Sequence, residues 1–213
     1  MAAFHDSTVD SFVPAKFQGN PVPGAFKGGV SRDGKWLGTS YQTSVLWNAS
    51  TGTAKVLNGS FQQCNPSMNP FQTGPNTDFM MILGFGGNSP AVPTPQGAVT
   101  EGQHENLWVW TKDDQAVWRA RLPNTAPHPA NEVPGVIYEE WQRPRWSTHP
   151  DFATALALRG GTDYYDLLIV KMSDQPGALA ASDRSQTIER GPVLRVATGS
   201  LISSDWSHLW VKP

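Results

Sequence analysis

A single cysteine, Cys64, occurs in the 213 residues. An internal disulfide is therefore excluded, and a cysteine-based zinc site has no ligand set to draw on. Basic clusters are missing as well. Sixteen Lys and Arg stand against eighteen Asp and Glu, for a net charge of −2, with no run of one sign. The electrostatic footprint that holds a phosphate backbone is absent, so nucleic acid is not an expected partner. No stretch approaches the roughly 18 apolar residues of a spanning helix. Residues 1–20 show no basic segment leading into an apolar one, so they are not expected to act as an export signal.

Catalytic signatures are equally scarce. No G-x-S-x-G, phosphate-binding loop, dinucleotide fingerprint or H-E-x-x-H occurs. The glycines of Gly84-Phe85-Gly86-Gly87 lack the strand-to-helix context that would make them a phosphate cradle, and they read as a flexible loop. Cys64 has no histidine beside it and reads as packing. His104-Glu105, His149 and Asp151 are metal-ligand types without metal-ligand spacing. No metal and no cofactor is expected.

Helical periodicity is confined to one short alanine-rich piece, 177–182, behind a proline. What the chain does have is glycine (20), proline (18) and tryptophan (9), with 38% hydrophobic residues. That balance predicts an all-β chain of short strands joined by tight turns. Residues 28–57 show the unit most clearly. A short apolar strand meets Ser31-Arg32-Asp33-Gly34-Lys35-Trp36, a strand follows to Tyr41, and further strands lie at 44–47 and 53–57 around Asn48-Ala49-Ser50-Thr51-Gly52. Asp-Gly supplies the positive φ that a tight hairpin needs. The result is a four-stranded meander of the size of one propeller blade.

Similar openings, a serine and a polar turn before an apolar strand, recur at Ser67, Ser147 and Ser203. Second strands are expected at 78–83 and 152–155. Third strands are expected at 106–111 and 164–171, and fourth strands at 115–122 and 192–197. The uneven spacing predicts long inserted loops at 70–77, 86–105 and 173–190, with either a further strand or a long excursion at 123–140. The expected division is 1–24 as an N-terminal extension, 25–58, 61–122 and 139–198 as blades, and 199–213 as half a blade. The strand Val9–Phe17 would complete that last blade and so remove a free sheet edge. Four or five blades would result in a monomer; the alternative is an incomplete ring that pairs with a second copy.

The segment Ser31-Arg32-Asp33-Gly34-Lys35-Trp36 resembles the Ser-Pro-Asp-Gly-Lys-aromatic turn of TolB-like and WD40-like β-propeller repeats. Gln63-Cys64-Asn65-Pro66-Ser67 and Trp146-Ser147-Thr148-His149-Pro150-Asp151-Phe152 look like variants of it found in propeller modules of large secreted bacterial proteins. Three of the four turns lack the glycine. The resemblance implies a small β-propeller and a secreted, extracellular or periplasmic location. It does not specify an activity, because this fold serves enzymes, lectins and scaffolds alike.

In such a fold, the loops entering first strands and those joining second to third strands share a rim. Here they would bring together Lys27, Gln63, Asn65, His104, Glu105, Trp141, Arg143, Arg145, Asp163 and Tyr164. Aromatic faces, amides and charges in one place suit a polyhydroxylated ligand. Trp36, Trp47, Trp108, Trp110, Trp146 and Trp210 are expected in the core, and Trp141, in a polar stretch, as a stacking platform. The function expected is a non-catalytic binding module for carbohydrate or another extracellular polymer. One alternative is a protein-interaction propeller holding a polypeptide. The other is a small hydrolase using Glu105, Glu140 and Asp163, although adjacent Glu139 and Glu140 would point to opposite faces of a strand.

Overall fold

The computed structural model describes residues 3–6, 11–14, 16–17, 20–21, 29–31, 33–41, 43–48, 50–57, 63–69, 80–85, 91–100, 103–113, 116–122, 136–147, 152–172, 188–190 and 192–200. Among them every regular element is a strand, and no helix is long and apolar enough to cross a membrane. Two small hairpins come first: β1 (Ala3–Asp6) with β2 (Ser11–Pro14), and β3 (Lys16–Phe17) with β4 (Asn20–Pro21). The described part of the expected closing strand Val9–Phe17 thus pairs with its own chain neighbours. The partner segment 201–213, with Ser203 and Trp210, lies outside the described residues, as do 177–182 and 123–135.

Sheet one is the antiparallel meander β5 (Gly29–Val30), β6 (Trp36–Tyr41), β7 (Thr43–Asn48) and β8 (Thr53–Leu57), within a residue or two of expectation. Its first turn is built by side chains. Ser31 Oγ donates to Asp33 Oδ1 at 2.6 Å and accepts from Trp36 N at 3.0 Å; Asp33 Oδ1 also accepts from Lys35 N at 3.1 Å. Gly34, at φ +69°, turns the chain where a side chain would be strained. In the second turn Asn48 Oδ1 accepts from the amides of Ser50 and Thr51.

Sheet two comprises β9 (Gln63–Met68), β10 (Met80–Phe85), β13 (Gln103–Trp110) and β14 (Ala116–Arg121). Between β10 and β13 the chain makes the hairpin β11 (Ala91–Thr94) and β12 (Gly97–Thr100). The stretch 86–105, expected as an open loop, therefore holds a structured hairpin, and its Val92 is fully buried. Sheet three comprises β15 (Tyr138–Trp146), β16 (Phe152–Arg159), β17 (Tyr164–Lys171) and, after a long excursion, β19 (Pro192–Ser200). That excursion lends β18 (Ile188–Arg190) to the outer edge of sheet two, parallel to β14.

Ser31 and Ser147 occupy equivalent corners. Each amide donates to a carbonyl five residues on, Trp36 in one case and Phe152 in the other. The matching corner of sheet two is Asn69 rather than Ser67. Asn69 follows Met68, which pairs with Met80, just as Ser147 follows Trp146, which pairs with Ala153. All three corner residues are buried. Ser67 lies two positions earlier, inside β9.

The core explains the tryptophans. Alternation along β13 sends Trp108 and Trp110 to one face and Leu107 and Val109 to the other. The first pair packs with Leu46, Leu57, Met68 and Val92 against sheet one. The second joins Trp118, Trp141, Trp146, Leu168 and Val170 between sheets two and three. Sheet two is therefore the middle layer. Ala153, Ala155 and Ala157 on β16 leave the volume that three indoles fill. Gly29 lets sheets one and two approach closely: a Cβ there would meet Met68 N at 2.8 Å.

Candidate functional site

Sheets two and three meet near two irregularities. Opposite the single Gly84 of β10, the strand β13 carries His104, Glu105 and Asn106, because the register shifts between Leu83–Leu107 and Phe85–Gln103. On β15, Arg143 and Pro144 together face Ala155, since Gln142 pairs with Leu156 and Arg145 with Thr154. Each bulge contains a non-glycine residue in the left-handed region: His104 at φ +51° and Arg143 at φ +48°. Proline is tolerated at such a bulge because no ladder hydrogen bond is asked of it. Left-handed backbone in side-chain-bearing residues costs on the order of 1–3 kcal/mol and gathers at sites of function.

The side chains at these bulges converge. Gln142 Nε2 lies 3.0 Å from Glu140 Oε1 and 3.0 Å from His104 Nδ1. The carboxylate can only accept, so the amide group facing it is the NH2. Its second hydrogen then points to Nδ1, which must accept. This hydrogen-bond pattern assigns the neutral tautomer with its proton on Nε2. Glu140 Oε2 sits 3.4 Å from the same Nδ1, and the Tyr165 hydroxyl lies 3.5 Å from Glu140 Oε1, long for a hydrogen bond. Burial pushes the His104 imidazole below its ordinary value of 6.5, and the nearby Glu140 only partly offsets this. Burial, and then Glu140, raise the Tyr165 phenol, which stays protonated. Arg143 and Asp163 also act on that phenol, with opposite signs. The cluster joins β13, β15 and β17 around a carboxylate whose side chain keeps 22% exposure.

Among the residues expected at a rim, His104, Arg143 and Asp163 lie in or near this cluster, as does Glu140, expected only as a catalytic carboxylate. Glu105 is half-buried beside His104. Gln63, Asn65 and the stretch 141–145 were expected in entering loops; they lie within the strands β9 and β15. Arg145 donates to the Pro144 carbonyl. Lys27 falls outside the described residues, as do His149 and Asp151. Tyr164 is 55% exposed, but alternation puts it on the face opposite Tyr165.

Trp141 corrects the expectation of a stacking platform. It is fully buried in the core between sheets two and three. The cause is a bulge at Glu139, since Tyr138 pairs with Arg159 and Glu140 with Leu158. The extra residue puts Tyr138 and Trp141 on the same inner face. Glu139 and Glu140 do diverge as expected: Glu139 accepts from the amide of Gly161, and Glu140 enters the cluster. The residues missed at the sequence level are Gln142, present in the entering segment but given no role, and Tyr165.

On the inner face of sheet three, a second network surrounds Asp166. Its carboxylate accepts from Tyr138 Oη at 2.6 Å and Arg159 Nε at 3.0 Å, and from Thr198. Arg195 lies 3.7 Å away. Burial works against the Asp166 charge, but these donors hold its carboxyl below the usual value. Among the described residues its partners come from β15, β16 and β19, which makes this a structural tie. Among the described residues no three of His, Cys, Asp and Glu come together as metal ligands.

No protein-family model and no curated protein matches the sequence. Among solved structures, the chain is similar to Kuenenia stuttgartiensis hydrazine synthase at a TM-score of 0.38 and 14% identity. The match covers 84% of this chain and 51% of that one, so the chain spans about half the length of that structure. Likeness at this level carries no argument about fold or activity.

Proposed function

We propose that the three meanders are consecutive blades of a small β-propeller, and that the chain is a non-catalytic module binding carbohydrate or a similar polyhydroxylated polymer at the His104–Glu140–Gln142–Tyr165 cluster. The blade assignment is supported by face-to-face packing in chain order, with sheet two between sheets one and three. The observation that carries the binding reading is the pair of left-handed bulges, at His104 and Arg143, beside which His104 and Gln142 meet one half-buried carboxylate. A carboxylate, an amide, an imidazole and a phenol provide both acceptors and donors, the complement of sugar hydroxyls. The extracellular or periplasmic location belongs to the same proposal.

The test is a printed glycan array with the purified chain, with hydrolysis products monitored in parallel on soluble polysaccharides. Binding without products supports the module. Products would replace it with a hydrolase acting through Glu140 and a second carboxylate, Glu105 or Asp163. A polypeptide ligand is the second reading. It is favoured by β19, where Leu194 and Val196 are each more than half exposed on the last strand of sheet three.

A further inference from the structure

The cluster contains one imidazole, and its hydrogen bonds depend on which form it takes. With Nδ1 unprotonated, Gln142 bridges Glu140 on β15 to His104 on β13. Protonation turns Nδ1 into a donor, and the Gln142 NH2 can no longer face it. Glu140 Oε2, already at an ion-pair distance of 3.4 Å, then takes that hydrogen, and Gln142 must turn away. Gln142 cannot be rescued by flipping, because its carbonyl would then face the Glu140 carboxylate. Space for adjustment is limited: His104 is 7% exposed, and its backbone is already in the left-handed region. A proton on Nδ1 therefore changes which side chain the imidazole bonds to.

We propose that His104, Gln142 and Glu140 form an acid-operated switch, closed while the imidazole is neutral and opened by its protonation, and that opening it releases the ligand from the site proposed above. The second half rests on the binding reading; the first does not. Glu140 is the charged group shown to act on the imidazole, across from β15. Tyr165 on β17 reaches the same carboxylate, while Arg143 on β15 and Asp163 in the turn before β17 act on that phenol. Glu105 adjoins His104 on its own strand.

The sign of the effect is fixed by the neutral preference. An imidazole depressed below 6.5 in the folded chain takes up its proton later than in the unfolded chain. The closed state is therefore fully favoured above about pH 6.5 and loses ground as pH falls from there through the depressed value.

The first experiment is an NMR titration of imidazole-labelled protein, with the His104 signal assigned from His104→Asn, a residue that accepts a left-handed backbone. The expected midpoint lies below that of a free histidine. Gln142→Met should raise it, because the neutral form loses the donated hydrogen bond, which a purely packing role would not do. Midpoints at or above the free value, or unmoved in Gln142→Met, would overturn the switch. The glycan array is then read at pH 7.5 and pH 5.0. A loss of about tenfold in apparent affinity on acidification, the equivalent of one hydrogen bond to a charged group, is expected for the wild type. Its midpoint should coincide with that of the His104 titration. Binding that ignores pH while the titration behaves as expected would overturn the link between switch and site. No binding at either pH would overturn the carbohydrate reading and leave the titration result standing.

Discussion

The indole of Trp146 donates to the carbonyl of Ser67 at 2.6 Å, and its backbone N–H lies 3.2 Å from Ser67 Oγ. One residue of β15 is thus bonded twice to one residue of β9, the first strands of adjacent sheets. The contact is buried, so water cannot replace either bond. Trp146→Phe leaves the Ser67 carbonyl without its donor and removes part of the packing. The expected cost is about 2–3 kcal/mol. Chemical denaturation should show it as a lower midpoint with unchanged slope.

Trp141 offers a sharper contrast. As a platform it would be dispensable for folding. As a fully buried residue of the core it shares with Trp118 and Trp146, in the layer of sheets two and three, it is not. Trp141→Ala is expected to cost about 3–5 kcal/mol, enough to unfold a marginal domain. A melting temperature within a degree or two of wild type would contradict the packing described above.

The Asp166 tie predicts an acid limit separate from the His104 switch. Its folded carboxyl lies below the ordinary 3.8. The unfolded chain therefore protonates first as pH falls. Its contribution is fully present above about pH 4 and is lost as pH drops through the depressed folded value. Asp166→Asn removes the charge and turns one acceptor into a donor. An expected loss near 3 kcal/mol at pH 7 takes the low end for a broken buried ion pair, because Arg159 is 30% exposed and partly screened. Below about pH 4, denaturation midpoints should fall less steeply for the variant than for the wild type.

Much of the strand order was legible because its signals are local. Asp33-Gly34 and Asn48 to Gly52 announce turns, and β-rich runs between them alternate with period two. The corner of sheet two was misplaced because a serine and an asparagine serve equally well as buried corner residues, and pattern matching favoured Ser67 over Asn69. The 91–100 hairpin did carry a signal, Thr94-Pro95-Gln96-Gly97 between apolar pairs, but proline density gave the stretch the look of an open loop. Bulges were not legible at all. One at Glu139 reverses the parity of β15 and buries Trp141. Those at His104 and Arg143 use residue types that reveal no left-handed backbone. The rim placed His104, Arg143 and Asp163 near one another, yet the contacts that join His104 to Glu140 pass through Gln142, which only three-dimensional register exposes.

If the left-handed bulges exist to aim side chains at a ligand, stability and binding should respond to their removal in opposite ways. Arg143→Gly tests this most directly, by melting temperature and glycan-array binding on the same preparation. Glycine relieves the backbone at φ +48° and deletes the guanidinium beside the cluster. The expected result is a melting temperature equal to or above that of wild type, together with loss of the array signal. A lowered melting temperature with binding intact would mean that the bulge serves the fold and that the ligand, if any, sits elsewhere.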